Sequence, residues 1–249
     1  MRQRQHTHSY TLTAGESNAE GQMPLTLLVE RIIEVATEHA NNLNIGYATL
    51  IKQNIGWVLS RLSLEMNSLP GINDSYTFTT WIESYNRHFS ERNFAITGHD
   101  GKVYGYARTI WVAMDFTTRT VADLSSLERE SFPTADIACP IAKTPRIPAI
   151  PDDSLCFQYT FKYCDLDFNR HVNTVRYIEL LMNRWPLSHY DKVFSHRFDI
   201  VFHRECHFDE TVTVKYHDAP DDSSDCMIIN AEGTTAISAR FKWKNNADE

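Results

Sequence analysis

A stretch of helical spacing followed by several runs of period two occurs twice in this chain, and that recurrence constrains the fold more than any single motif. In the first half Leu25, Leu28, Ile32, Val35 and Ala36 fall at i, i+3, i+7, i+10 and i+11 behind Pro24, which is one face of a helix. Proline is tolerated at such a start because a first-turn N–H has no intrahelical acceptor. Asn41, Asn42 and Gly46 mark the end. The period then becomes two. Val58, Leu62, Leu64 and Met66 alternate, as do Tyr76, Phe78, Thr80 and Ile82. A third run surrounds Phe94 and Ile96, and a fourth holds Tyr104, Tyr106, Ile110, Val112, Met114 and Phe116. Pro70-Gly71, Asn73-Asp74 and Asp100-Gly101 are turn signals between them. The first half therefore predicts a helix and a four-stranded antiparallel meander.

In the second half Phe157, Tyr159, Phe161 and Tyr163 alternate as a strand. Val175, Ile178, Leu181, Met182 and Trp185 take helical spacing until Pro186. Strand-like runs return at Phe198–Phe202, Val212–Tyr216, Met227–Ile229 and Ile237–Trp243. Asp218, Asp221, Asp222 and Asp225 around Pro220 read as a solvated hairpin tip. Five of the nine prolines fall between Pro133 and Pro151, where they remove backbone donors. The expected organisation is a unit over residues 1–132, a Pro-rich linker over 133–153 and a second unit over 154–249. The class is α+β, with two repeats of about 110–120 residues. No alternating βαβ pattern and no GxGxxG run is present, which disfavours a Rossmann fold.

With 42% hydrophobic and 12% aromatic residues the chain can bury a core, which excludes global disorder. Its 32 acidic against 24 basic residues, net −8, argue against a dedicated nucleic-acid binder. Cys139, Cys156, Cys164, Cys206 and Cys226 are odd in number and lack a CxxC pair, which disfavours a disulfide framework or zinc ribbon. The polar start, Met1 to His8, has no apolar stretch behind it and does not read as a signal peptide; His6 and His8 are expected to be solvated. No apolar run approaches the ~20 residues of a membrane span. A soluble, cytoplasmic protein is expected.

The segment that carries chemistry is Asp165-Leu166-Asp167-Phe168-Asn169-Arg170-His171-Val172-Asn173, between a strand and a helix. A calcium loop is one reading, since Asp165, Asp167 and Asn169 match D-x-D-x-N. It fails at Arg170, where the turn glycine belongs, and at Arg176, where the bidentate glutamate belongs. Turn and capping residues are a second reading. A reactive site is the third, with a helix N-terminus holding a developing oxyanion while a carboxylate and an imidazole manage water.

The run from Asp165 through Thr174, Val175, Arg176, Tyr177 and Ile178 resembles the signature of acyl-acyl carrier protein thioesterases, and Phe202-His203-Arg204-Glu205-Cys206 resembles their downstream motif. Ile55–Arg61 and Ala107–Val112 are also similar to that family. The resemblance implies two tandem hot-dog units, each a long helix wrapped by an antiparallel sheet. It implies hydrolysis of fatty acyl-acyl carrier protein to free fatty acid, with no metal or organic cofactor required. Carried over, the site is Asp167, Asn169, His171 and Glu205. In this reading Glu205 is the general base, Asn169 and His171 position the water and the base, and Asp167 holds Asn169 or His171. The backbone N–H groups of Val172 and Asn173 form the oxyanion hole.

Cys206 is the alternative nucleophile; strand alternation sets it on the face opposite Glu205 and disfavours it. His203, Glu205 and His207 share a face by the same rule and could mimic a metal site, but no third spaced His or Cys motif supports one. The first half carries no such motif, reading Glu20-Gly21-Gln22-Met23-Pro24 before its helix, and is expected to shape the acyl pocket. An acyl carrier protein is acidic and this chain is net −8, so a local basic patch is expected, with Arg170, Arg176, Arg184 and Arg197 as candidates. An acyl-CoA thioesterase and a non-catalytic acyl-binding protein are the alternatives. The His-Phe-Pro run of hot-dog dehydratases is absent. Hot-dog units pair, either within one chain or as a homodimer.

Overall fold

The computed structural model describes residues 4–125 and 132–246. Residues 1–143 and 144–249 form two compact units. The first runs β1 (Gln5–Thr11), α1 (Leu25–Asn42), a short α2 (Tyr47–Leu50), β2 (Ile55–Met66), β3 (Ser75–Tyr85), β4 (Phe89–Gly98), β5 (Val103–Asp115) and β6 (Thr120–Val121). Its antiparallel sheet has the order β1-β3-β4-β5-β2, with β6 on β5. The predicted helical face is the buried one: Leu25, Leu28, Ile32, Val35 and Ala36 all lie under 7% exposed.

Two features differ from the sequence expectation. The strands are not a simple meander, because β2 pairs with β5 rather than with β3. Residues 67–74 make an eight-residue connection that carries the chain across, whereas adjacent hairpin strands need only a tight turn. Along that pairing Met66 lies opposite Gly105, where a Cβ would sit 2.3 Å from the Glu65 carbonyl oxygen, so the close approach requires glycine. Second, His6 and His8 are not in a solvated tail. They belong to β1, an edge strand paired with β3. Residues 132–141 also fold back, with Ala135, Cys139 and Ile141 packed on Trp81.

The second unit runs β7 (Leu155–Thr160), α3 (Thr174–Met182), α4 (Leu187–Tyr190), β8 (Val193–Phe202), β9 (Thr211–Asp218), β10 (Ser223–Ile229) and β11 (Thr235–Asn245). The order is β7-β9-β10-β11-β8. Phe161, Ile178, Phe198, Ile200, Ile228, Ile237 and Phe241 are fully buried in it. At the acidic hairpin, Asp225 is buried rather than solvated and takes a bidentate bond from Arg240 (2.6 and 2.7 Å). The helix, with 9 residues, is half the length of α1 with 18.

The two units thread the same path. Each is a strand, a helix and four strands, and the first strand pairs with the third in both. The strand-to-helix connections, residues 12–24 and 161–173, are both thirteen residues long, and residues 67–74 and 203–210 are both eight.

Candidate active site

The motif loop is folded by its own polar side chains. The Asp167 Oδ1 accepts the N–H groups of Asn169 (2.8 Å) and His171 (3.2 Å), and its Oδ2 meets the Asn169 amide at 3.4 Å. The Asp167 N–H donates to the His171 carbonyl and the Arg170 N–H to the Asp167 carbonyl. Arg170 takes the left-handed conformation, φ +65°, at the position where the calcium-loop reading asked for glycine. Asn173 then caps α3, accepting the Val175 N–H at 3.0 Å.

Much of this wiring recurs in the first unit. Gln22 N–H donates to Asn18 Oδ1 (2.8 Å), Asn18 N–H to the Gln22 carbonyl and Gly21 N–H to the Asn18 carbonyl, with Gly21 at φ +73°. Met23 N–H donates to the Pro70 carbonyl as Val172 N–H donates to that of Cys206. An isolated bridge joins Gln22 to Gly71, and another joins His171 to His207. Counted along the equal connections, Asn18, Glu20, Gln22 and Leu69 stand where the second unit has Asp167, Asn169, His171 and Glu205. The loop geometry is thus a property of the repeated fold, and what distinguishes the two loops is their side chains.

His171 and Glu205 come together, with Nδ1 3.5 Å from Oε1 and side chains 21% and 30% exposed. The His171 ring also packs edge-on against His207, 5.1 Å between centroids. Asn169 lies one turn of the loop away and is exposed. Glu205 is not on a strand, as the alternation argument assumed. The β8 ladder ends at Phe202, and both His203 and Arg204 N–H groups turn to the Ala236 carbonyl (2.8 and 3.2 Å), which bends the chain off the ladder. The shared strand face of His203, Glu205 and His207 therefore does not exist, and His203 instead bonds Ser238. Cys206 is fully buried, and burial pushes its thiol up to about 11.

Tyr177, on α3, was singled out by no role in the sequence. Its buried hydroxyl accepts the Cys206 N–H at 2.8 Å and so ties α3 to the segment carrying Glu205. The only available signal was its place inside the conspicuous motif run.

The expected oxyanion donors need correction. Val172 N–H is taken by the Cys206 carbonyl (3.0 Å) and Asn173 N–H by the Asp165 carbonyl (2.8 Å). Thr174, the first helical residue, is left with an N–H that finds no acceptor among the described residues. The basic patch is corrected too. Arg197 is buried in a bidentate pair with Asp199, both contacts 2.9 Å. The Arg184 side chain is 8% exposed, bonded to Asp218 and stacked on Trp185 and Tyr216. Arg176 is partly exposed but paired with Glu179. Arg170 is exposed.

The first unit holds a small cavity of about 40 Å³ between α1 and its sheet, lined by Ala36, Ala40, Ile45, Trp57 and Trp111 with Ser90 and Arg92. Arg92 is buried and bonds His39 Nδ1 (2.7 Å) and Thr80 (3.3 Å), with no carboxylate partner among the described residues. Burial pushes its guanidinium down to about 9.

Comparison with known proteins agrees with this architecture. The acyl-ACP thioesterase N-terminal domain family matches residues 3–128 and the C-terminal domain family matches residues 150–245. An oleoyl-acyl carrier protein thioesterase of Arabidopsis thaliana is 26% identical over 234 residues, covering 86% of this chain and 62% of the relative. The chain spans 52–62% of the length of this and similar curated plant relatives. The crystal structure of an acyl-ACP thioesterase from Bacteroides thetaiotaomicron superposes with a TM-score of 0.90 at 27% identity, covering 97% of this chain and 98% of that one. The 12:0-ACP thioesterase from Umbellularia californica, 18% identical, shares the fold with a TM-score of 0.87 over 99% of both chains. No helix among the described residues is long and apolar enough to cross a membrane. With both domain families matched in order, over most of its length, the chain belongs to the acyl-ACP thioesterase family.

Proposed function

We propose that this chain hydrolyses the thioester of fatty acyl-acyl carrier protein, releasing free fatty acid and ending chain elongation. The observation that carries the reading is the His171–Glu205 pair, 3.5 Å apart and half-buried, with Cys206 sequestered behind it. Glu205 accepts a proton from water, and the resulting hydroxide attacks the thioester carbonyl. The tetrahedral oxyanion collapses, the C–S bond breaks, and the thiolate recovers the proton held by Glu205. His171 fixes the carboxylate, Asn169 orients the water, and Asp167 holds both through the loop. Thr174 N–H at the start of α3 replaces Val172 and Asn173 as the oxyanion donor of this mechanism. A thiol raised to about 11 by burial supplies little thiolate, which argues against Cys206 as nucleophile. The first unit helps to shape the acyl site, and Arg170 and Arg176 are the remaining candidates for meeting the acidic carrier.

Thiol release from matched acyl-acyl carrier protein and acyl-CoA panels, with wild type and Glu205→Ala, tests the reading. Turnover that prefers the carrier protein and collapses in Glu205→Ala supports it. Equal use of CoA makes the chain a general acyl thioesterase, and acyl binding without turnover of either makes it a binding protein.

A further inference from the structure

The inner face of β1 and the facing side of α1 form a polar seam far along the chain from the catalytic loop. His6, His8 and Tyr10 alternate toward the helix, and Glu34, Glu38 and Asn42 meet them at helical spacing. The two glutamates are treated differently. Glu34 has a guanidinium partner, Arg31, at 2.8 Å. Glu38 has only imidazoles: His6 Nε2 and His8 Nδ1 both lie 2.9 Å from the same oxygen, Oε2. No Lys or Arg pairs with it among the described residues. The trio is one carboxylate oxygen met by two imidazole nitrogens, each of which presents a lone pair in one of its tautomers.

We propose that His6, His8 and Glu38 form a binding site for a divalent transition metal of zinc type. Nε2 of His6, Nδ1 of His8 and a carboxylate oxygen of Glu38 lie within 4.8 Å of one another. Tetrahedral zinc with ligands at about 2.0–2.1 Å needs donor atoms about 3.3 Å apart. The observed 2.9 Å contacts open to that spacing with small rotations of side chains that are 17–37% exposed. The fourth position is left to water, which the partial exposure of all three side chains admits.

The surroundings suit the change of tautomer that ligation demands. When Nε2 of His6 binds metal, its proton resides on Nδ1 and needs an acceptor. The Asn42 side-chain amide stands 3.5 Å from Nδ1, and turned over it offers its oxygen. The His6 ring is held from behind by stacking on buried His39, 5.9 Å between centroids. The feature is not inherited from the repeat. At the matching positions of β7 the second unit has Leu155 and Phe157, which pair with Tyr216 and Val214 as His6 and His8 pair with Thr80 and Phe78. A metal there staples the edge strand β1 to α1.

Calorimetric titration of chelator-treated full-length protein with Zn2+, and visible spectra with Co2+, test the site. One equivalent is expected, with the intense bands of a tetrahedral Co2+ complex and a rise in Tm of several degrees. His8→Ala and Glu38→Gln should weaken binding at least about tenfold and abolish the Tm rise, while their metal-free Tm and thiol-release activity stay near wild type. Asn42→Ala should weaken it by a smaller factor, about tenfold at most. An absence of binding overturns the proposal and leaves a hydrogen-bonded cluster. Undiminished binding in the His8→Ala, Glu38→Gln double variant overturns it equally, and places the ion elsewhere, beside His171 and His207 for example.

Discussion

Asp167 is the motif residue whose role the repeat exposes most directly, because the first unit performs the same folding task with Asn18. In the motif loop one carboxylate oxygen of Asp167 takes two backbone N–H groups, at 2.8 and 3.2 Å. In the first unit an amide oxygen takes the matching Gln22 N–H at 2.8 Å. Asp167→Asn therefore keeps the acceptor of the two backbone N–H groups and loses the charge assistance together with the long Oδ2 contact to the Asn169 amide. Bonds to a charged group contribute roughly 1.5–3 kcal/mol and neutral ones roughly 0.5–1.5. At a half-exposed loop the difference is at the low end, about 1 kcal/mol, so kcat should fall about tenfold or less. Asp167→Ala removes both acceptors, a loss of about 3 kcal/mol in loop order, and kcat should fall on the order of 10²-fold. Thiol-release kinetics on acyl-acyl carrier protein, with circular dichroism to check folding, separates the two. If folded Asp167→Asn is as inactive as Asp167→Ala, the charge of Asp167 or its Oδ2 contact with Asn169 carries the effect, and the argument from the two backbone bonds fails.

Tyr177→Phe should lower Tm by about 2–12 °C, since a buried Cys206 N–H left unpaired costs about 1–3 kcal/mol and each kcal/mol shifts a chain of this size by about 2–4 °C. The same change should reduce kcat more than KM, because Glu205 precedes the freed peptide; a wild-type Tm and kcat would show that water or another group already serves that N–H. Alkylation of the native protein near pH 8, read by mass spectrometry, should modify Cys156 and Cys164, which are exposed. Cys206 and Cys226, pushed up by burial to about 11 and about 12, should stay unmodified, and rapid labelling of Cys206 would reopen the nucleophile question.

Apolar alternation made most strands readable, because period two fixes which face each side chain takes. It does not fix which strand lies alongside, so the β2–β5 pairing was invisible. Strand β1 was missed for another reason: His6, His8 and Tyr10 turn polar and aromatic groups inward toward Glu34 and Glu38, so no apolar period marks it. In the site, the side chains were legible as residue types, but the state of the Val172 and Asn173 amides was not. Their acceptors are carbonyls of Cys206 and Asp165, chosen by tertiary folding. The Arg197–Asp199 pair could have been anticipated, since two residues apart on one strand share a face. The burial of Arg184 under Asp218 required the fold itself.

The matched loops also record a division of labour and a way to reverse it. The first unit keeps the backbone of the loop and differs from the second at the four side chains. Asn18→Asp, Glu20→Asn, Gln22→His and Leu69→Glu would give the first unit the residue types that the second carries, on a loop whose Asn18, Gly21 and Gln22 amides are already bonded as their counterparts are. The N-terminal half is in that sense a scaffold on which the same four side chains can be set a second time. It is also an internal standard, present in every molecule, against which substitutions in the working loop can be judged for folding alone.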